Sequence, residues 1–138
     1  MSIAIKRIYE PATAGDGYRV LVDRLWPRGV SKATAAVDLW LRDVAPSTAL
    51  RTWFHHDPDK WMEFRVRYLA ELRRNGGALA PLVTKARQGR VTLVYSARDE
   101  QHNQAVVLKS YLAPRLRAAT RRPRVKGEKG VSSRDAGQ

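Results

Sequence analysis

The stretch Arg90–Ser96, Arg-Val-Thr-Leu-Val-Tyr-Ser, constrains the fold more than any other part of the chain. Its apolar run is nearly continuous, the pattern of a central strand buried on both faces. Such a strand needs a covering layer on each side, and its flanks read as helices. Upstream, Leu79, Leu82, Val83 and Ala86 recur at i, i+3, i+4 and i+7, which predicts a helix over Ala78–Gln88 stopped by Gly89. Downstream, Asp99 is expected to cap a last helix that runs to about Leu116 on Ala105, Leu108 and Leu112.

The rest of the chain alternates in the same way. Ile3–Tyr9 reads as a first strand, ended by Pro11 and the loop Ala14-Gly15-Asp16-Gly17. Tyr18–Asp23 reads as a second, stopped by Pro27-Arg28-Gly29, after which Ser31 caps a short helical turn through Ala36. Val37–Val44 alternates as a short third strand. Ser47 caps a helix with Leu50, Trp53 and Phe54 on one face. Asp57-Pro58 starts a longer one, to about Arg74, with Trp61, Phe64, Tyr68 and Leu72 in its apolar stripe. Strands separated by helices define an α/β fold: one three-layer domain over residues 1–116, with a small, mostly parallel central sheet flanked by helices.

In such sheets ligands sit beyond the carboxyl ends of adjacent strands. Two charged loops occupy that position, Asp23–Lys32 and Tyr95–Gln104, and they are expected to be neighbours. In the first, Arg24 and Arg28 offer planar forks to a phosphate or carboxylate, and Lys32 adds a point charge. Trp26 can stack on a flat ligand, while Pro27 and Gly29 set the backbone where it would approach. The competing reading makes Trp26 plain core and pairs the arginines with Asp23, Asp38 or Asp43.

In the second loop, Tyr95 and Ser96 supply hydroxyls, Arg98 a charge, and Asn103 hydrogen bonds. Asp99 marks a helix start whose free N–H groups favour an anion. His102 and Asp23 are the candidates for moving a proton near neutral pH. The plainer alternative is that Asp99 only caps and His102 faces solvent. His55 follows Trp53-Phe54 at a helix end and is placed with the same cleft. Adjacent His55 and His56 point in different directions on a helix, so no metal site is assigned, and no glycine-rich phosphate loop or other motif implies a cofactor.

The chain contains no cysteine, which excludes disulfides, Cys-ligated zinc and thiol chemistry. No apolar run approaches the roughly 18 residues of a membrane span. The charged Met1–Tyr9 segment lacks a signal peptide's apolar core, so a cytoplasmic protein with no membrane partner is expected. Net charge is +13, and residues 113–138 hold eight basic against two acidic side chains. Residues 117–138 read as a basic, disordered tail, either a grip on polyanions such as nucleic acid or a solubilising end.

These residues also carry a resemblance. Lys6-Arg7-Ile-Tyr, Asp16 through Gly29, Trp53-Phe-His55, Arg67-Tyr68-Leu-Ala-Glu-Leu72 and Leu93-Val-Tyr-Ser-Ala-Arg-Asp99 resemble the YeaO-like family, a branch of a superfamily labelled as a domain of unknown function. The resemblance spans about residues 3–112 and implies one compact α/β domain without a settled activity. It departs at Asn103-Gln104-Ala105, where that family usually has Asn-His-Ala. A sister branch bears cysteines there and at the place of Tyr95, so its thiol chemistry does not transfer. Three functions follow: an enzyme, or a relic of one, acting on a nucleotide or phosphorylated small molecule; a nucleic-acid-associated module using the tail; or a non-catalytic ligand sensor.

Overall fold

The structure is a computed structural model that describes residues 2–121, with side chains as far as residue 117. Its strands are β1 (Ser2–Arg7), β2 (Tyr18–Leu21), β3 (Leu39–Trp40) and β4 (Arg90–Tyr95). The helices are α1 (Lys32–Ala35), α2 (Thr48–Phe54), α3 (Trp61–Arg74), α4 (Ala80–Gln88) and α5 (Gln104–Arg121). The strands form one sheet in the order β1-β4-β2-β3, and every pairing is parallel. β4 lies inside, paired with β1 from Ser2↔Arg90 to Arg7↔Tyr95 and with β2 from Tyr18↔Val91 to Leu21↔Val94. This is the doubly buried strand that its sequence predicts.

Alternation along β4 and β2 divides the core between the two faces of the sheet. Val20, Val91, Leu93 and Tyr95 face the larger cluster with Phe54, Phe64, Tyr68, Leu82, Leu108 and Leu112. Leu21 and Val94 face the other way, with Ile8 and Ala35, beneath Trp26, Val30, Val37 and Trp40. Each fully buried Leu, Val or Phe stabilises the fold by about 1.5–3 kcal/mol relative to exposure. Placing β4 in both layers therefore joins them into one unit.

A largely buried ionic hub ties β1 to the entry of β2. The Asp16 carboxylate accepts from Arg19 Nη1 at 2.6 Å, from Lys6 Nζ at 3.1 and 3.2 Å, and from the Thr13 amide and hydroxyl at 3.1 and 3.0 Å. Arg19 uses its remaining donors on the carbonyls of Ala35, at 3.2 and 2.7 Å, and Ala36, at 3.1 Å. Burial opposes ionisation of Asp16, but these donors together hold its carboxyl well below the usual carboxylate range.

Three elements differ from expectation. The third strand shrinks to Leu39–Trp40, followed by a 3₁₀ turn at Arg42–Val44. Before it, the Asp38 carboxylate takes the Arg19 amide at 2.8 Å. After it, the Val44 carbonyl accepts from the buried Tyr68 hydroxyl at 2.5 Å, which draws the chain toward α3. The long helix begins at Trp61, because Pro58–Lys60 is a separate 3₁₀ turn. The last helix begins at Gln104 and runs past Leu116 to Arg121. Residues 117–121, expected in the tail, thus continue α5, and the remainder of that tail lies outside the described residues.

Candidate functional site

A cleft of about 700 Å³ opens beyond the carboxyl ends of β2 and β4. Because these strands are adjacent, the two charged loops after them face each other across it, as the sequence predicts. The first contributes Asp23, Arg24, Trp26 and Arg28; the second contributes Ser96, Arg98, Asp99, His102, Asn103 and Gln104. A third wall comes from α2, the turn that follows it and α3, with Arg51, Phe54, His56 and Phe64.

Asp23 lies on the floor and is 8 % exposed. Its Oδ2 accepts the Ser96 amide at 3.1 Å, and its Oδ1 accepts Gln104 Nε2 at 2.6 Å. The indole N–H of Trp40 fixes its carbonyl at 2.8 Å. Burial pushes the Asp23 carboxyl up, against the hydrogen bonds from Ser96 and Gln104 and the nearby charge of Arg51. The side chain is therefore a strut between β2 and the β4–α5 loop, with both oxygens engaged.

The β4–α5 loop is built as a separate turn. Asp99 Oδ1 accepts the amides of Gln101 and His102 at 2.9 and 3.0 Å, while Oδ2 meets His102 Nδ1 at 2.8 Å. The Gln101 amide and the His102 side chain hold the Asp99 carboxyl below its usual range. The cap of α5 is instead Asn103, whose Oδ1 accepts the Val106 amide at 3.2 Å while its Nδ2 holds the Asp99 carbonyl at 2.9 Å. His102 thus precedes the helix, half-buried, with its ring edge-on to Trp61 at 5.1 Å. From β1, Arg7 Nε donates to the Ala97 carbonyl at 2.8 Å and steadies the loop from behind.

The cations fall into two groups. Arg24 points its guanidinium at backbone, with Nε to the Pro46 carbonyl at 3.1 Å and Nη2 to that of Ala45 at 3.3 Å. Arg28, Arg51 and Arg98 are exposed, and among the described residues none of their guanidinium groups has a hydrogen bond or ion pair. The pairing of arginines with Asp23, Asp38 or Asp43 considered from the sequence is absent among these contacts. Trp26 donates its N–H to the Val30 carbonyl at 2.7 Å and sets its ring against Trp40, with centroids 5.5 Å apart. It lines the cleft and also belongs to the second core layer.

Three expected residues lie off the cleft wall. Lys32 Nζ sits 6.0 Å from the centroid of Trp26, outside the lining. Tyr95 is 2 % exposed within the large core cluster, its phenol pushed up by burial and the charge of Glu100 against a hydrogen bond with Asn103. His55 is replaced by His56. Both have positive φ, 45° and 55°, so the chain leaves α2 through two left-handed residues and the second imidazole turns to the cleft. Sequence spacing alone does not foresee that reversal. Arg51 also went unrecognised, although it stands three residues before Phe54 on a helix the sequence does predict.

A family model described as the inactive DUF488-N3 subclade matches residues 2–132. The chain belongs to this family. Among relatives of the DUF488-N3 chain is the uncharacterized protein YeaO of Escherichia coli, 45 % identical over 112 residues, which cover 81 % of this chain and 97 % of that one. The uncharacterized protein Rv3073c of Mycobacterium tuberculosis is 42 % identical over 110 residues, covering 80 % and 92 %. No solved structure matches the chain significantly. Among the described residues of this DUF488-N3 protein there is no cluster of metal-binding side chains, and no helix is long and apolar enough to cross a membrane.

Proposed function

We propose that the protein is a non-catalytic binding module whose cleft receives a small phosphate- or carboxylate-bearing molecule. One observation carries the reading: Arg28, Arg51 and Arg98 have no hydrogen-bond or salt-bridge partner for their guanidinium groups, on a cleft whose two carboxylates, Asp23 and Asp99, already accept protein donors. Planar cations without a hydrogen-bonded counter-ion, beside carboxylates held by other donors, favour an anion from outside. Binding without turnover also fits the description of the family as inactive. Asp23 works as a strut in this reading, holding the Ser96 amide and the Gln104 side chain across the floor of the cleft.

Thermal-shift and calorimetric titration with nucleoside monophosphates, sugar phosphates and carboxylates tests it. At least one should raise the melting temperature, and Arg51→Gln with Arg98→Gln should weaken its binding by at least about tenfold, the scale of one charged hydrogen bond. A panel without any response, or a response indifferent to both substitutions, contradicts the proposal. A second reading, turnover with His102 as proton carrier, has the Asp99–His102 pair in its favour, since Asp99 orients the ring through Nδ1. Mass spectrometry of metabolite extracts incubated with the protein separates the two: a product lost in His102→Asn supports turnover.

A further inference from the structure

We infer that the anion received by the cleft carries a planar apolar body: its class is an aromatic or heteroaromatic ring bearing a phosphate or carboxylate. This rests on the anion-binding proposal above and narrows it. The lining is sorted by depth. Phe54 and Phe64, 5 % and 2 % exposed, and the buried Pro27 form its base beside Asp23, while the guanidinium-bearing Arg28, Arg51 and Arg98 stand exposed at its rim. The rings of Phe54 and Phe64 stack with centroids 4.3 Å apart, and Trp61 backs Phe64 at 5.7 Å, so the apolar wall is braced. At the mouth Leu25, 64 % exposed, is held in solvent beside Pro27.

Part of the backbone donor capacity around the cleft is already used. A site for bare phosphate or a sugar phosphate draws on free amides, commonly those opening a helix. Here the Ser96 amide is taken by Asp23, those of Gln101 and His102 by Asp99, and that of Val106 by Asn103. Beside the amides left at the opening of α5, the lining offers a ligand cationic charge at the rim and apolar surface around Asp23 below it. A cleft of about 700 Å³ is also far larger than one phosphate requires and lies in the range of pockets that enclose ring-bearing ligands.

Calorimetry on the full chain with inorganic phosphate, phenyl phosphate and phenol tests the inference. Phenyl phosphate should bind at least about tenfold more tightly than inorganic phosphate, the gain expected from burying one ring. Leu25→Ser, a surface change, should narrow that gap several-fold. Equal affinity for the two phosphates overturns the ring requirement while the anion-binding proposal stands. Phenol binding as tightly as phenyl phosphate overturns the anion-binding proposal and this inference with it. Absence of binding by all three overturns both.

Discussion

Asp16 and Asp23 are both buried carboxylates, yet their surroundings drive them apart. Asp16 faces Arg19 and Lys6 at hydrogen-bonding distance, and its folded acidity lies below the unfolded value. Its contribution is therefore complete above the unfolded pKa of about 4 and is lost as pH falls below it. Asp16→Ala leaves Arg19 buried without its counter-ion, so the predicted loss is about 3 kcal/mol at neutral pH, with a flattened acid limb in urea melts across pH. Asp23 titrates the opposite way. Its folded carboxyl is raised, so its ionisation costs stability as pH rises through the folded value, and Gln104 offsets part of that cost. Gln104→Leu should destabilise by about 2 kcal/mol at neutral pH, and the penalty should shrink as acid protonates Asp23. A penalty independent of pH would mean that Gln104 acts by packing. The sequence marks Asp23 as special from its place at a strand end, but its occupation by Ser96 and Gln104 depends on long-range register that no local pattern encodes.

At the scale of elements, the Asp16-Gly17 turn is where sequence and geometry agree most closely. Gly17 has φ 66° and ψ −136°, a region almost closed to other residues. A Cβ there would lie 2.4 Å from the Arg90 carbonyl oxygen, where β2 enters beside β4. Gly17→Ala should cost at least about 3 kcal/mol, read as a lowered denaturation midpoint with little change in slope. Elements with strong periodicity were legible: β4 from its apolar run, α3 from Phe64, Tyr68 and Leu72, and α4 from Leu82 and Ala86. Those defined by a single side-chain hydrogen bond were not. Asp99 has the chemistry of a helix cap and uses it on an isolated turn, leaving Asn103 to open α5. The alternation of Val37–Val44 likewise contributes only Leu39–Trp40 to the sheet, because the Asp38 side chain takes the β2 amide of Arg19 and the Tyr68 hydroxyl claims the Val44 carbonyl.

For the whole molecule, the sheet order brings together the loops that matter. β2 and β4 are far apart in the chain and adjacent in space, so Arg28 and Arg98 line one cleft. That juxtaposition follows from parallel pairing and was legible in outline. The wall from α2 and α3 was not, because Arg51, His56 and Phe64 reach the cleft only through helix packing and the left-handed exit from α2. The most direct test of an anion seat in this cleft is a ¹⁵N amide chemical-shift titration of the full chain with phenyl phosphate. Saturable shifts should concentrate on residues 24–28, 51–56 and 96–104. Shifts confined to the basic stretch 113–138, or none that saturate, would contradict it.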